Sequence, residues 1–368
     1  MNSTNNFSGL KIEYHILQSF PVSCLNRDDV GAPKTAIVGG VPRARVSSQC
    51  WKRQVRLELH NMGIPLGIRT KKVEDKLKEY AKQDNKSLEQ VEKAISKAVK
   101  HLSDDTLLFI SETELMGIYN YLKKNQFNES KIKDKEVYKS LGSNIRNEPL
   151  EALDIALFGR MVAKAASLNI EGSASFSHAI STHKVTNEID FFTALDDLKD
   201  DTMDNQGAAH MGTLEYNSAT YYRYISLDLG QLFVNLDNKV EAVKVEAVKV
   251  EADKVEAVYK AVDVFTKALF VAVPIARQNT QSAASLWDYA HILVRKGQRI
   301  QLHFDEPIKA EKGGGYLKPS IVSLKKDLEK KERLVGSLYG KKAELIFGEK
   351  NDYSIDQLCK DLVEQIKV

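Results

Sequence analysis

Apolar and polar positions alternate at the start of the chain. In LKIEYHILQSF, Ile12, Tyr14 and Ile16 share one face at a spacing of two, which predicts a β-strand. PVSCLNRDDVGAPKTAIVGGVPR, broken by Gly31, Pro33, Gly39, Gly40 and Pro42, reads as loop. A helical period then sets in at RVSSQCWKRQVR. Trp51, Val55 and Leu59 recur at i, i+4 and i+8 and anchor the helix to a core. Gln49, Lys52, Arg53 and Arg56, at i, i+3, i+4 and i+7, share another face, and Ser47 or Ser48 supplies the N-cap.

Residues 66 to 148 turn to Lys/Glu-rich helical material with a small core of its own. Leu88, Val91, Ile95 and Leu102 form a stripe behind a capping box of Ser87 and Gln90, and Ser111 with Glu114 repeats the device. Residues 150 to 184 return to apolar sequence around DIALFGRMVAK. A polar excursion follows, with strand-like ends and an acidic, Gly-containing tip, which predicts a long hairpin or protruding arm. In its return limb Ile225, Leu227 and Leu229 point one way, and Tyr224, Ser226 and Asp228 the other. Residues 239 to 258 repeat KVEAV; the five-residue period leaves no fixed apolar stripe, while Glu241–Lys244, Glu246–Lys249 and Glu251–Lys254 support a solvent-facing helix. That helix runs on to stop before Pro274. AHILVRKGQRIQLHF predicts a hairpin turning at Lys296–Gly297 with Ile300, Leu302 and Phe304 inward, and two C-terminal helices close the chain. This order describes an α+β body with two excursions; a small antiparallel sheet with helices on one face, in a ferredoxin-like arrangement, is the economical solution.

Bulk properties narrow the function. The 368 residues suffice for a sizeable core. With 53 Lys+Arg against 50 Asp+Glu, the net charge of +3 does not by itself announce nucleic acid, so local clustering must carry any such reading. Cys24, Cys50 and Cys359 are far apart and odd in number, which argues against a disulfide framework and suits a reducing compartment. There is no basic-then-apolar leader pattern and no apolar run of about 20 residues, so the expectation is a cytoplasmic protein without a membrane partner.

Clustering is found between Val30 and Arg56, where Lys34, Arg43, Arg45, Lys52, Arg53 and Arg56 occur with no Asp or Glu. A capped helix start adds free N–H groups and the positive dipole end, a combination suited to phosphate. No aromatic signature for base stacking on a sheet is present. Asp28 and Asp29 are adjacent acids that could hold Mg²⁺ near a bound phosphodiester, or could simply orient their loop. His178, His183 and His210 lack metal spacing, and no phosphate-binding loop, nucleophile elbow or dinucleotide fingerprint occurs. Met161 after LFGR, and Phe192 with Thr193 in IDFFTAL, read as core residues or as apolar wedges displayed on an arm.

The blocks PVSCLNRDD…GAPKTAIVGGVPRARVSSQCWKRQVR, DIALFGRM, SFSHAISTHKV…EIDFFTALDDL, GAAHMGTLEYNSATYYRY and KPSI, in this order, closely resemble the CasC family, backbone subunits of type I-E CRISPR Cascade surveillance complexes. The resemblance implies an RRM-like palm (residues 1–65, 174–184 and 221–368), helical fingers (66–173) and a hairpin thumb (185–220). It implies copies lined up along a guide RNA, with target DNA, neighbouring copies and the large, small, guide-handle cap and guide-processing subunits as partners, no cofactor, and no enzymatic activity. Position by position it implies RNA contacts from Arg27, Lys34, Ser47, Gln49, Lys52, Arg53, Arg56 and Arg160, wedge positions at Met161, Phe192, Thr193 and Met211, and a further basic patch at Arg277 and Gln278. The thumb tip KDDTMDNQG is longer and more acidic than the family pattern, the segment between Met161 and His178 is shorter, and the KVEAV repeat is an addition. Two rival readings stand beside this one: a metal-dependent ribonuclease using Asp28 or Asp29, and a protein scaffold that assembles without RNA.

Overall fold

The computed structural model describes residues 5–104, 106–141, 149–194, 210–236 and 247–368, apart from the side chains of Gln90, Ala194, His210 and residues 247–251. The acidic tip of the arm and residues 239–246 of the KVEAV repeat lie outside the described residues, as do the three Glu–Lys pairs expected to support it. The chain runs from β1 (Leu10–Ser23) through the hairpin of β2 (Thr35–Val38) and β3 (Val41–Val46) into helix α1 (Ser48–Asn61). A helical insertion carries β4 (Ile68–Thr70), α2 (Val73–Gln83), α3 (Leu88–Leu102), β5 (Leu108–Ile110), α4 (Glu112–Lys124) and α5 (Asp134–Leu141), and α6 (Leu153–Phe158) leads back from it. Then come β6 (Ala174–Phe176), β7 (Ala179–Ser181), the arm strands β8 (Glu188–Ala194) and β9 (His210–Asp228), and helices α7 (Leu229–Asn235) and α8 (Ala247–Val271). The last elements are α9 (Gln278–Gln281), β10 (Tyr289–Lys296), α10 (Leu317–Val335), β11 (Lys341–Phe347) and α11 (Ile355–Ile366).

The fold is α+β, as expected. Its main sheet has the order β11-β10-β1-β9-β7-β3-β2, with β6 and β8 also paired to β9. Strand β1 is the spine, antiparallel to β9 on one side and β10 on the other. Ile12, Tyr14 and Ile16 do share a face, where they meet Ile225, Leu227 and Ile292 and pack beneath Val55 and Leu59 of α1, Val262 and Phe265 of α8 and Leu362 of α11. Each such side chain contributes about 1.5–3 kcal/mol on burial. The opposite face is covered too, which corrects the expectation of helices on one face. Leu17, Tyr222, Tyr224 and Leu293 lie under Leu324 and Leu328 of α10 and under Leu302 and Phe304.

Three further expectations change. No hairpin turns at Lys296–Gly297: Leu302 and Phe304 are buried as expected but outside any strand, and β10 pairs instead with β11. The stretch read as loop contains the β2–β3 hairpin, whose turn is Gly39–Gly40 with φ of 60° and 76°. A side chain at Gly39 would also strike the Asp305 carbonyl, with a Cβ placed 1.7 Å from its oxygen. Ser87 caps α3 by position but makes no side-chain cap hydrogen bond, and Leu88 lies at the surface rather than on the stripe of Val91, Ile95 and Leu102.

The insertion has its own core of Leu77, Val91, Ile95, Leu115, Ile118 and Val137. Helix α4 opens with the full capping box of Ser111 and Glu114. The insertion is tied to α1 by Asp154 of α6, which is fully buried. Its carboxylate accepts from Arg56 Nε at 2.6 Å and from the Gly67 N–H at 2.9 Å.

Candidate nucleic-acid interface

Helix α1 starts where its sequence says. Ser47 is the N-cap, its Oγ accepting from the Cys50 N–H at 3.2 Å, and the Ser47 N–H donates to Asn26 Oδ1 at 2.9 Å. The second bond holds the loop carrying Arg27 against the helix start. No acid occupies the first turn, so nothing on the helix neutralises the positive end of its dipole. Trp51 is buried among Phe20, Val46, Ala179 and Tyr221, fixing the rotation of α1 so that Gln49 and Arg53 face solvent with Lys52 half-buried beside them.

Under Trp51 lies an unusual cation. Arg223 of β9 is 2 % exposed, and its guanidinium stacks 3.6 Å from the Trp51 ring. It donates to Gln18 Oε1 at 2.5 Å and to the Leu269 carbonyl at 3.4 Å; among the described residues no carboxylate pairs with it. Burial pulls its pKa down to about 9, so at neutral pH it remains charged and its field reaches the helix above. Burial likewise lowers the pKa of Lys52, whose ammonium stands 5.7 Å from the Phe176 ring.

The basic run divides in the structure. Arg27, Lys34, Lys52 and Arg53 make no ion pair among the described residues. Arg43 is fully buried, donating to the carbonyls of Ser181 and Phe304 at 2.8 and 2.9 Å. Arg45 is turned toward the Thr35 carbonyl and His178. Arg56, expected beside Lys52 and Arg53 on the outward face, is bound to Asp154 and to the Gly67 carbonyl at 2.5 Å. Arg160, expected among the RNA contacts, is 8 % exposed and donates to Glu114 at 2.7 Å and to the carbonyls of Leu168 and Phe109.

Of the two adjacent acids of the loop, Asp28 is tied into the loop and Asp29 is exposed. Asp28 Oδ1 accepts from the N–H groups of Val30 and Ala32 at 3.0 and 2.9 Å, closing the turn around Gly31. Among the described residues no group of three or more His, Cys, Asp or Glu is placed to hold a metal ion. His183 is consumed internally: Nδ1–H donates to the Lys184 carbonyl, Nε2 accepts from the Thr220 N–H, and the ring stacks 3.6 Å from Tyr316. Burial lowers its pKa and keeps it neutral. Arg277 is held in the left-handed region at φ 53°, half-buried next to the loop, with Gln278 exposed beside it.

On the arm, the register separates residues that the sequence places together. Thr193 lies opposite Met211, and Phe192 opposite Gly212. Phe192 therefore belongs to one face of the hairpin, where its ring covers Gly212 so closely that a Cβ there would come within 2.5 Å of it. Thr193 and Met211 belong to the other face, together with Ile189 and Phe191, which are 69 % and 59 % exposed. Met161 is 79 % exposed.

Residues 12–364 match the model of the CT1975-like protein family. The chain belongs to that family. The match runs through α1, the helical insertion, the arm and the C-terminal strands, so membership embraces every candidate position above. Among solved structures, the fold is similar to a chain of a "CRISPR RNA-guided surveillance complex, pre-nicking", with a TM-score of 0.75 and 24% identity over 96% of this chain and 99% of that one. A chain of a second "CRISPR RNA-guided surveillance complex" matches with a TM-score of 0.59 and 23% identity over 96% and 98%. A search of the curated proteins finds no match. No helix among the described residues is long and apolar enough to cross a membrane.

The structure thus brings together Arg27, Ser47, Gln49, Lys52, Arg53 and Arg277 around the start of α1. Ile189, Phe191 and Arg223 escaped the sequence reading. The period-two spacing of Ile189, Phe191 and Thr193 could have revealed the first two. Nothing local marks Arg223, whose Trp51 partner lies on another element.

Proposed function

We propose that this chain is a guide-RNA-binding backbone subunit of a CRISPR surveillance complex of the type I-E kind, with a binding role in the cytoplasm and no catalytic one. In this reading copies line up along the guide through the palm, with residues 66–173 as fingers and 185–220 as thumb. They present the guide in short segments to target DNA, in company with the large, small, guide-handle cap and guide-processing subunits. The observation that supports it best is the start of α1: a capped, acid-free helix end ringed by Arg27, Lys34, Lys52 and Arg53, none of them paired with a carboxylate among the described residues. Unpaired cations beside free N–H groups suit phosphodiester oxygens. Family membership and the fold shared with surveillance-complex chains point the same way. Asp28, spent on its own loop, favours binding over the metal-dependent ribonuclease.

The test is RNA affinity of the full chain across a salt series, together with particle mass and RNA integrity in Mg²⁺. Wild type should give a multi-copy particle with intact RNA. Lys52→Gln with Arg53→Gln should weaken binding for all sequences alike and lower the salt slope by about 0.7 per lost contact. A double variant with wild-type affinity, or a monomer with cut RNA, would sink the reading. Met161, Phe192, Thr193 and Met211 remain the wedge candidates on the arm and beside it, with Phe192 acting from the face opposite Thr193 and Met211.

A further inference from the structure

The cations at the start of α1 continue around the sheet toward β7. Lys34, just ahead of β2, acts electrostatically on the Cys50 thiol together with Arg53, and on His178 together with Arg45. Arg53, Lys34, Arg45 and His178 thus form one line from the first turns of α1 to the short turn between β6 and β7. His178 is exposed. Arg45 of β3 and Lys34 are the charged groups that face it from neighbouring elements, and among the described residues no carboxylate does. Arg45 Nη1 stands 3.3 Å from His178 Nδ1. A guanidinium only donates, so Nδ1 accepts and carries no proton. A second bond, from Arg45 Nε to the Thr35 carbonyl at 3.2 Å, holds Arg45 beside the ring. Partial burial, and after it the Arg45 and Lys34 charges, lower the pKa of His178 and keep the ring neutral at neutral pH.

An anion entering this line reverses the balance. A phosphodiester placed against Lys34 and Arg45 offsets the charges that hold the proton off the ring, and an imidazolium donates to phosphate oxygen more strongly than a neutral imidazole does. A neutral ligand brings no such gain, since it leaves the repulsion from Arg45 and Lys34 in place. We propose that His178 is a further contact to the phosphodiester backbone of the bound RNA and takes up a proton on binding, so that each copy grips RNA more tightly as pH falls. This rests on the RNA-binding reading, because Lys34 belongs both to this cluster and to the surface around the start of α1. The sign follows from linkage: the bound state holds more protons than the free one, so affinity rises as pH falls through the bound-state pKa of His178 and levels off below its free-state pKa.

The experiment measures the affinity of the full chain for a short oligouridylate, whose bases do not titrate in the range used, from about pH 8 to about pH 5.5 at constant ionic strength. Wild type should bind about three- to tenfold more tightly at the acidic end, the size expected for one histidine brought next to one phosphate. It should also take up protons on binding, read as a difference in binding enthalpy between two buffers of unequal ionisation enthalpy. His178→Gln should keep the wild-type melting temperature and the wild-type affinity at the alkaline end, and lose both the acid-side gain and the proton uptake. His178→Arg, a fixed cation, should bind at the alkaline end as tightly as wild type binds at the acidic end. Wild-type pH dependence in His178→Gln, or a wild type whose affinity does not change with pH, would overturn the proposal and leave RNA binding standing. Failure of the wild-type chain to bind RNA at any pH would overturn both.

Discussion

The sheet beneath α1 and the helical insertion each bury an arginine, and they treat it in opposite ways. In the insertion, Arg160 meets Glu114 and two carbonyls, so the charge is cancelled where it is buried. In the sheet, on β9, Arg223 meets an indole face, an amide and a carbonyl, and among the described residues no acid. The first arrangement holds a fold together. The second leaves net positive charge under the surface that also bears Lys52 and Arg53, which in the proposed function would add to attraction for an anionic strand. Arg56 stands between them, drawn from the outward face of α1 to the buried Asp154, where it serves the junction of body and insertion.

The contrast is broken most severely by Arg160→Ala. Removing one partner of a buried pair leaves Glu114 uncompensated, and a stability loss of about 3–5 kcal/mol is expected from denaturant unfolding, with RNA affinity of the folded fraction unchanged. Arg56→Gln comes next, at about 1–3 kcal/mol, since Asp154 keeps its bonds from the Gly67 and Ile155 N–H groups. A large fall in RNA affinity that outruns its stability loss would return Arg56 to the interface. Arg223→Met should cost little stability, because an unpaired buried cation gives way to an apolar chain, yet weaken RNA binding by about 1 kcal/mol, roughly fivefold, most clearly at low salt. Equal affinity in wild type and variant would show that the buried charge does not reach the strand.

The smallest effect concerns pH. Burial raises the pKa of Asp154 above its ordinary value, outweighing the bonds from the Gly67 N–H and Arg56 and the Arg56 charge. Between the unfolded and the folded pKa the native state therefore holds more protons than the unfolded one, and stability falls as pH rises through that window. Asp154→Asn should flatten this fall. A variant whose stability retains the wild-type slope just above the ordinary aspartate pKa would place the proton elsewhere.

Local features of the chain were legible because their causes are local. The spacing of Trp51, Val55 and Leu59 gave the inward face of α1, the Ser47–Ser48 pair its start to within one residue, and Ser111 with Glu114 the start of α4. The two strands of the arm followed from alternation. Misreadings arose where a local signal was ambiguous. Gly39–Gly40 signalled loop and hairpin alike, and β11, seven residues between two helices, offers no turn signature for its pairing with β10.

By itself, then, the sequence determined which positions share a face, where the main helices begin, and that an acid-free basic run precedes a helical insertion. Tertiary structure alone decided what becomes of each cation. Arg56 and Asp154 are 98 positions apart, and Arg43 and the Phe304 carbonyl 261. A period along the chain states the direction in which a side chain points. The acid, carbonyl or ring it meets there is supplied by another element, and the cost of burying charge makes that meeting decide which arginines hold the fold and which are left to face a ligand.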